Sequence, residues 1–223
     1  MSPSSLLPPQ MVVGSRMLYF GWVPADPDAV AAMVPGALQA NGNVFMNQYV
    51  VDRPEQTSGF GAYSLTYIGS DLVGHDADEN TPGRWWTHYF NDNPPMREYV
   101  QARGVPAVQG ETVIEIDDGV LTATTSDDGT PVIRTRVRVG EPGDVTATGQ
   151  LVYITDIDGS YVSGRYPYVA RLVDPWEVLS LEFLAPDHSV YALRPADPLQ
   201  ILWGFYSPHA SFCYPGGETT LDL

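Results

Sequence analysis

Residues 112–139 read TVIEIDDGVLTATTSDDGTPVIRTRVRV, and little else in the chain restricts its fold as much. Apolar and polar residues alternate with period 2, as on a strand with one buried face. The alternation is broken twice, at Asp118-Gly119 and at Asp128-Gly129, pairs that favour the two-residue turns of β-hairpins. A third such pair, Asp158-Gly159, follows the run GQLVYIT. A helix cannot carry this pattern. Elsewhere, too, 21 glycines and 20 prolines fall at the ends of short alternating runs, which predicts a mainly β protein with many turns. The acidic turns imitate calcium loops, but none supplies enough ligands for that ion.

Alternation puts Arg134, Arg136 and Arg138 on one strand face and Glu111, Val113 and Glu115 on one face of an earlier strand. If the two strands pair, a Glu–Arg ladder follows; the alternatives are a solvated face or an anion-binding lining. Two short helices are expected. In ADPDAVAAMVP, Asp26 is the N-cap, Pro27 opens the helix and Pro35 stops it. In NPPMREYVQARG, Asn93 is the N-cap and Gly104 the C-terminal cap. No repeat or linker divides the chain, so residues 1–223 are read as one domain. Flexibility is expected in residues 1–10, in the loop DLVGHDADENTPG and in the tail 218–223.

Composition excludes several roles. The net charge is −16 and all 11 basic residues are arginines, which disfavours nucleic acid and anionic membrane surfaces. The single cysteine, Cys213, permits no internal disulfide and no cysteine-based zinc site. The start of the chain lacks the charge and apolar run of a signal peptide, and no stretch is long and apolar enough to span a bilayer. A cytoplasmic protein is expected.

Candidate chemistry concentrates in RWWTHYFND. Strict alternation gives two sets, Arg84, Trp86, His88, Phe90 and Trp85, Thr87, Tyr89, Asn91, of which one faces an interior. His88 is the residue best suited to acid–base work, with Tyr89 competing for the inward place. Arg97 and Glu98 read as a solvated pair, and the adjacent Asp187 and His188 as loop residues. Ser207 and His209 fit no nucleophile elbow. His75, Asp76, Asp78 and Glu79 sit in a polar loop, so no metal site is assigned. GFG at 59–61 lacks the third glycine of a dinucleotide fingerprint, and no cofactor is expected.

Several segments together resemble the acetoacetate decarboxylase-like superfamily. SRMLYFGWVPADPDAVAAMVPGALQ is similar to its N-terminal arginine, strand and capped helix. TSGFGAYS, HYFNDNPP followed by a helix and GVPA, and GQLVYITDIDGS follow in family order across residues 13–215. The resemblance implies a closed, curved antiparallel β-barrel or cone with flanking helices, an apolar pocket and a homo-oligomer. It places Arg16 at the family's carboxylate-facing arginine, Asn47 or Gln48 at one pocket glutamate and Leu65 at the other. Ala107 stands where the family has its imine-forming lysine, and Val108 where it has a second lysine.

An alanine cannot form an imine, so the family's decarboxylation is not expected. What remains is a cofactor-independent enzyme, a dehydratase, isomerase or cyclase, acting on an apolar β-keto or enol metabolite. Arg16, His88, Asn47 and Tyr89 would be catalytic. Leu65, Ala107, Val105, Trp86, Phe90 and Gln48 would line a more apolar pocket, suited to a bulkier ligand. The alternatives are a non-catalytic small-molecule binder and a decarboxylase that works through Arg16 without an imine.

Overall fold

The computed structural model describes residues 6–78 and 81–223. The strands are β1 (Gln10–Trp22), β2 (Ala40–Val51), β3 (Tyr63–Leu72), β4 (Gly83–Asn91), β5 (Ala107–Asp117), β6 (Val120–Asp127), β7 (Thr130–Ile157), β8 (Ser160–Phe183), β9 (Ile201–Tyr214) and β10 (Thr219–Thr220). The helices are α1 (Pro27–Ala31) and α2 (Pro94–Gln101). The three Asp-Gly pairs join β5–β6, β6–β7 and β7–β8, with positive φ at both residues of each, as a type I′ turn requires. Asp26 accepts from Ala29 N and Asn93 from Met96 N, so both expected N-caps form.

The strands make one sheet that closes on itself. β1–β2–β3–β4 pair in sequence, β4 meets the second half of β7, β7 pairs with β8, β8 with β9, and β9 returns to β1. The expected closed, curved β architecture is present, with one difference. β4 runs parallel to β5 and β7, because the α2 crossover reverses the chain between β4 and β5. β7 and β8 are long enough to serve two layers. Their ends nearest the Ile157–Ser160 turn complete the ring. Their other halves extend β5 and β6 into a second layer, packed on the outside of β1–β3.

This layering gives two cores. Inside the ring lie Met17, Tyr19, Phe45, Tyr49, Leu65, Tyr67, Trp86, Tyr89, Tyr153, Tyr166 and Tyr214. Between the layers lie Leu18, Phe20, Trp22, Met46, Ile68, Phe90, Ile114, Leu121 and Ile133. Along β1 and β2 the two sets alternate, as a strand buried on both faces demands.

Three other expectations change. Arg134 and Arg138 do face carboxylates, but those of Glu182 and Glu177 on β8. β6 lies between β5 and β7, so the Glu111–Glu115 strand cannot reach the arginines. The tail is not free: Thr219 and Thr220 pair with Ser163 and Val162, and Leu221 N donates to Tyr161 O. Gln10 already belongs to β1, and its Nε2 donates to Leu7 O. Residues 1–5, and Glu79 and Asn80 of the acidic loop, lie outside the described residues. Within that loop Asp78 takes hydrogen bonds from Gln150 and Arg165. No described helix is long and apolar enough to cross a membrane.

Helix α2 ends in a Schellman motif, with Val105 N bonded to Val100 O and Gly104 N to Gln101 O. Gly104 has φ +75°, and a Cβ there would lie 2.2 Å from Asp156 O. Gly104→Ala therefore combines a left-handed strain with a backbone clash. It is expected to cost about 2 kcal/mol or more, read as a lower denaturation midpoint in urea with an unchanged slope.

Candidate functional site: a tyrosine-lined lumen

Which side chains reach the lumen is decided by one irregularity in β4. Ile68 pairs with His88 and the next residue, Gly69, with Trp86, so Thr87 is an extra residue in the ladder. Above the bulge Trp86 points inward; below it the parity is reversed and Tyr89 points inward. The inward set is thus Arg84, Trp86 and Tyr89, neither of the two sets that strict alternation offers. His88 and Phe90 turn to the other layer, where their rings stack 5.9 Å apart.

Inside, tyrosine hydroxyls partner one another. Tyr49 Oη lies 3.0 Å from Tyr63 Oη and 3.2 Å from Tyr214 Oη. Tyr67 Oη bonds to Tyr166 Oη and accepts from Asn47 Nδ2 at 2.8 Å. Burial pushes Tyr19, Tyr49, Tyr63, Tyr67, Tyr89 and Tyr166 well above the ordinary phenol value, and raises Tyr214 to about 12. They are neutral hydroxyls throughout the physiological range.

One cation sits among them. Arg84 donates through Nε to Asp71 Oδ1 at 2.8 Å and through Nη1 to Tyr19 Oη. Its guanidinium also lies 4.8 Å from the Phe45 ring centroid and 5.2 Å from that of Trp203. Burial alone would lower its pKa; Tyr19 and Asp71 more than offset that and leave it above the ordinary value.

Four buried polar atoms of the inner cluster make no well-formed hydrogen bond: Asn47 Oδ1, Trp86 Nε1, Tyr89 Oη, which approaches the Tyr214 hydroxyl without a well-formed bond, and Tyr99 Oη. The first three side chains adjoin Tyr67. Its ring lies 5.1 Å from Trp86 and 6.1 Å from Tyr89, and its hydroxyl holds the Asn47 amide. Turning that amide over exchanges its two polar atoms but still leaves one unpaired. Near the rim a small enclosed pocket of about 10 Å³, room for one water, is lined by Trp86, Tyr99, Arg103, Val105, Tyr153, Tyr214 and Glu218. Aromatic rings fill the rest of the hollow.

The residues expected at the site divide accordingly. Asn47, Leu65, Trp86, Tyr89, Val105 and Ala107 belong to the inner cluster or its rim. Ala107 opens β5 beside Tyr89, where a longer side chain would run into these rings. Val108 is exposed. Gln48 and Phe90 lie between the layers, where Gln48 accepts from Thr135 Oγ1 at 2.8 Å and donates to Thr125 Oγ1 at 2.9 Å.

Arg16 shares the strand face of Leu18 and Phe20, so it cannot enter the lumen. Its Nε and Nη2 form a bidentate pair with Asp52, at 3.0 and 2.6 Å, and its Nη1 donates to Ile114 O. Open surface grooves of about 520 and 330 Å³ flank it.

His88 is likewise outside, bonded to Ser189 Oγ through Nε2 at 2.8 Å and to Thr87 Oγ1 through Nδ1. The His188 ring lies 5.8 Å from that of His88, with its Nε2 against Asp127 at 2.9 Å. Arg97 donates to Asn91 O, and Ser207 Oγ only accepts from His209 N. Among the described residues no cluster of His, Cys, Asp and Glu could hold a metal ion.

Sequence reasoning passed over Tyr67, Tyr166, Asp71, Arg103 and Glu218, and gave Arg84 a place in a candidate inward set but no role. For the tyrosines a signal existed. Tyr67 lies two residues beyond Leu65 on an alternating strand, and so shares its face.

Ring closure and a second layer built on β5–β8 define the fold. The fold is similar to that of a solved acetoacetate decarboxylase, which is 17% identical, with a TM-score of 0.64 over 99% of this chain and 92% of that one. It is equally similar to the enduracididine biosynthesis enzyme MppR in complex with pyruvate, at 14% identity and TM-score 0.64, covering 98% and 92%. An acetoacetate decarboxylase-like enzyme from Sphingomonas wittichii RW1 gives 16% and 0.62, over 100% and 97%. No family model matches the sequence, and no curated protein matches it. The chain therefore has the acetoacetate decarboxylase-like fold.

Burial, and then His188, hold the His88 pKa down at about 4. A histidine depressed below its unfolded value near ~6.5 leaves stability intact above that pH and removes it as pH falls towards the folded value. The loss expected between about pH 6.5 and 4 is on the order of 2–3 kcal/mol. Urea midpoints measured across this range should fall less steeply in His88→Gln than in the parent protein.

Proposed function

We propose that the protein is a cofactor-independent enzyme that works without an imine and binds a small enol or β-keto metabolite beside Trp86 and Tyr89. The lumen rings have to move apart there to admit it, because the pocket they leave holds only about one water. The observation that carries this reading is the set of unpaired buried atoms on Asn47, Trp86 and Tyr89 around Tyr67. A buried polar atom left unpaired costs about 1–3 kcal/mol, so the set is better satisfied with a guest than without one. Trp86 N–H and Tyr89 O–H are donors suited to a carbonyl or enolate oxygen. The Asn47 carbonyl oxygen accepts from a hydroxyl of the same guest.

The chemistry follows from what these groups can do. The chain has no lysine, so no side-chain amine is present to form an imine. The lumen tyrosines are held protonated and serve as donors rather than as charged bases. Donors already fixed in a dry site stabilise a developing oxyanion, each contributing about 3–4 kcal/mol. The Tyr67 and Tyr166 hydroxyls share a hydrogen bond, with Asn47 Nδ2 donating to Tyr67, so the pair can relay a proton in one concerted step. One hydroxyl takes the proton from the guest's carbon as the other returns its own to the guest's oxygen, and no charged base is left. Dehydration, isomerisation or cyclisation of an enolisable guest fits this equipment, and the similarity to enzymes of the same fold supports catalysis. Imine-free decarboxylation loses its motive, because Asp52 already holds both prongs of Arg16. Pure binding is the second reading, favoured because among the described residues no unpaired carboxylate faces the lumen.

Acetylacetone is a suitable probe, with binding read by tryptophan fluorescence and keto–enol equilibration by the enol absorbance. The parent protein should bind it and accelerate equilibration. Tyr89→Phe and Asn47→Ala should each slow the protein-dependent rate by about 10²-fold while unfolding cooperatively. Binding with no acceleration would convert the reading to that of a carrier. Absence of binding would end both.

A further inference from the structure

We infer that Arg103 and Tyr153 form a carboxylate-binding subsite at the rim of the lumen, occupied here by the protein's own Glu218 as an internal stand-in for a ligand. This rests on the lumen being a ligand site, and adds to it the chemical class of what enters: a flat carboxylate. Two donors converge on one carboxylate oxygen. Tyr153 Oη lies 3.1 Å from Glu218 Oε1, and Arg103 Nε 3.2 Å from the same atom. Arg103 is held in place independently of Glu218. Its Nη1 donates to Tyr99 O at 2.7 Å, and its guanidinium lies 3.7 Å from the Tyr99 ring centroid.

The fit of Glu218 is imperfect. It is close enough to pair with Arg103 by charge, yet the buried Nε–H makes no well-formed hydrogen bond. A carboxylate free to align with the guanidinium edge gains the bond that Glu218 does not make. The surrounding walls are flat and aromatic: Trp86 and Tyr153 stack 4.8 Å apart at 17°, and Tyr214 closes the side. The same Trp86 carries one of the unpaired lumen donors, so a guest whose carboxylate sits on Arg103 has its remainder directed inward.

The stand-in is also built to leave. Glu218 follows Gly216 and Gly217, with φ of +75° and +77°, and precedes a strand of only two residues. Beyond that strand the bond from Leu221 N to Tyr161 O and the packing of Leu221 against the Ile154 cluster hold the segment. So small a set of contacts gives a segment that opens without disturbing the barrel. Displacement of Glu218 by an incoming carboxylate would both vacate the subsite and uncover the pocket.

Benzoate and its neutral analogue benzamide test this by tryptophan-fluorescence titration of the full chain. The parent protein should prefer benzoate. Glu218→Gln, which removes the competing charge, should tighten benzoate about tenfold or more and change benzamide little. Arg103→Gln should abolish the preference, with near-UV circular dichroism confirming the native packing. Equal affinities for the two probes, or no gain in Glu218→Gln, would overturn the subsite and leave the lumen reading standing. If neither probe binds any variant, the subsite is overturned, and the acetylacetone titration alone decides the lumen reading.

Discussion

A tyrosine turned into the dry interior of a barrel has to give its hydroxyl a partner. The ring contributes apolar burial, but the hydroxyl loses its water and is costly if left alone. The lumen meets this demand by pairing hydroxyls with one another, Tyr49 with Tyr63 and Tyr214, and Tyr67 with Tyr166. Arg84 is tolerated on the same condition, with Asp71, Tyr19 and three aromatic faces about it. The pairing fails at Asn47, Trp86 and Tyr89, which sit together around the Tyr67 ring, and again at Tyr99, Arg103 and Trp176. The three around one ring are the ground on which a guest is proposed there.

The two-layer build fixes which residues have access to that site. Because β1–β3 are buried on both faces, each residue's parity sends it either to the lumen or to the interlayer core. Arg16 and Gln48 fall on the interlayer side, Tyr19 and Asn47 on the other. One extra residue, Thr87, decides the matter on β4. Without the bulge Trp86 and Tyr89 could not both point inward, and the group of unpaired donors would not exist.

The sequence made the local features legible because their causes are local. Asp118-Gly119, Asp128-Gly129 and Asp158-Gly159 need only their own backbone conformation to turn a hairpin, and Asp26 and Asn93 need only a neighbouring N–H to cap a helix. The order of motifs pointed to the correct fold even though each motif was short. Ring closure by β4–β7 and β8–β9 joins residues far apart in the chain, and no local pattern announces it. The Thr87 bulge arises from pairing with β3, which no reading of β4 alone supplies. Arg16 matched a family position by its place in sequence, but its side chain is set by Asp52 and by strand parity. Glu218 lay in a tail whose glycines indicated looseness; those same glycines bend the chain so that Thr219 and Thr220 can pair with β8.

Three ion pairs near the barrel differ in how readily each could be broken. Arg16–Asp52, Arg84–Asp71 and Arg103–Glu218 each match a guanidinium near the barrel with a carboxylate. Asp71 is part of β3 and fully enclosed, so releasing Arg84 means breaking the barrel. Asp52 directly follows β2, and Arg16 is anchored a second time on β5 through Ile114. Glu218 alone among these three carboxylates is carried on a short segment behind two glycines, while its arginine is fixed by other contacts. In a chain of net charge −16 an uncompensated cation beside a hydrophobic opening would be an unusual attractor for anions. In the inferred subsite Glu218 would keep the closed state neutral and leave Arg103 to a guest whose carboxylate aligns better than this single oxygen.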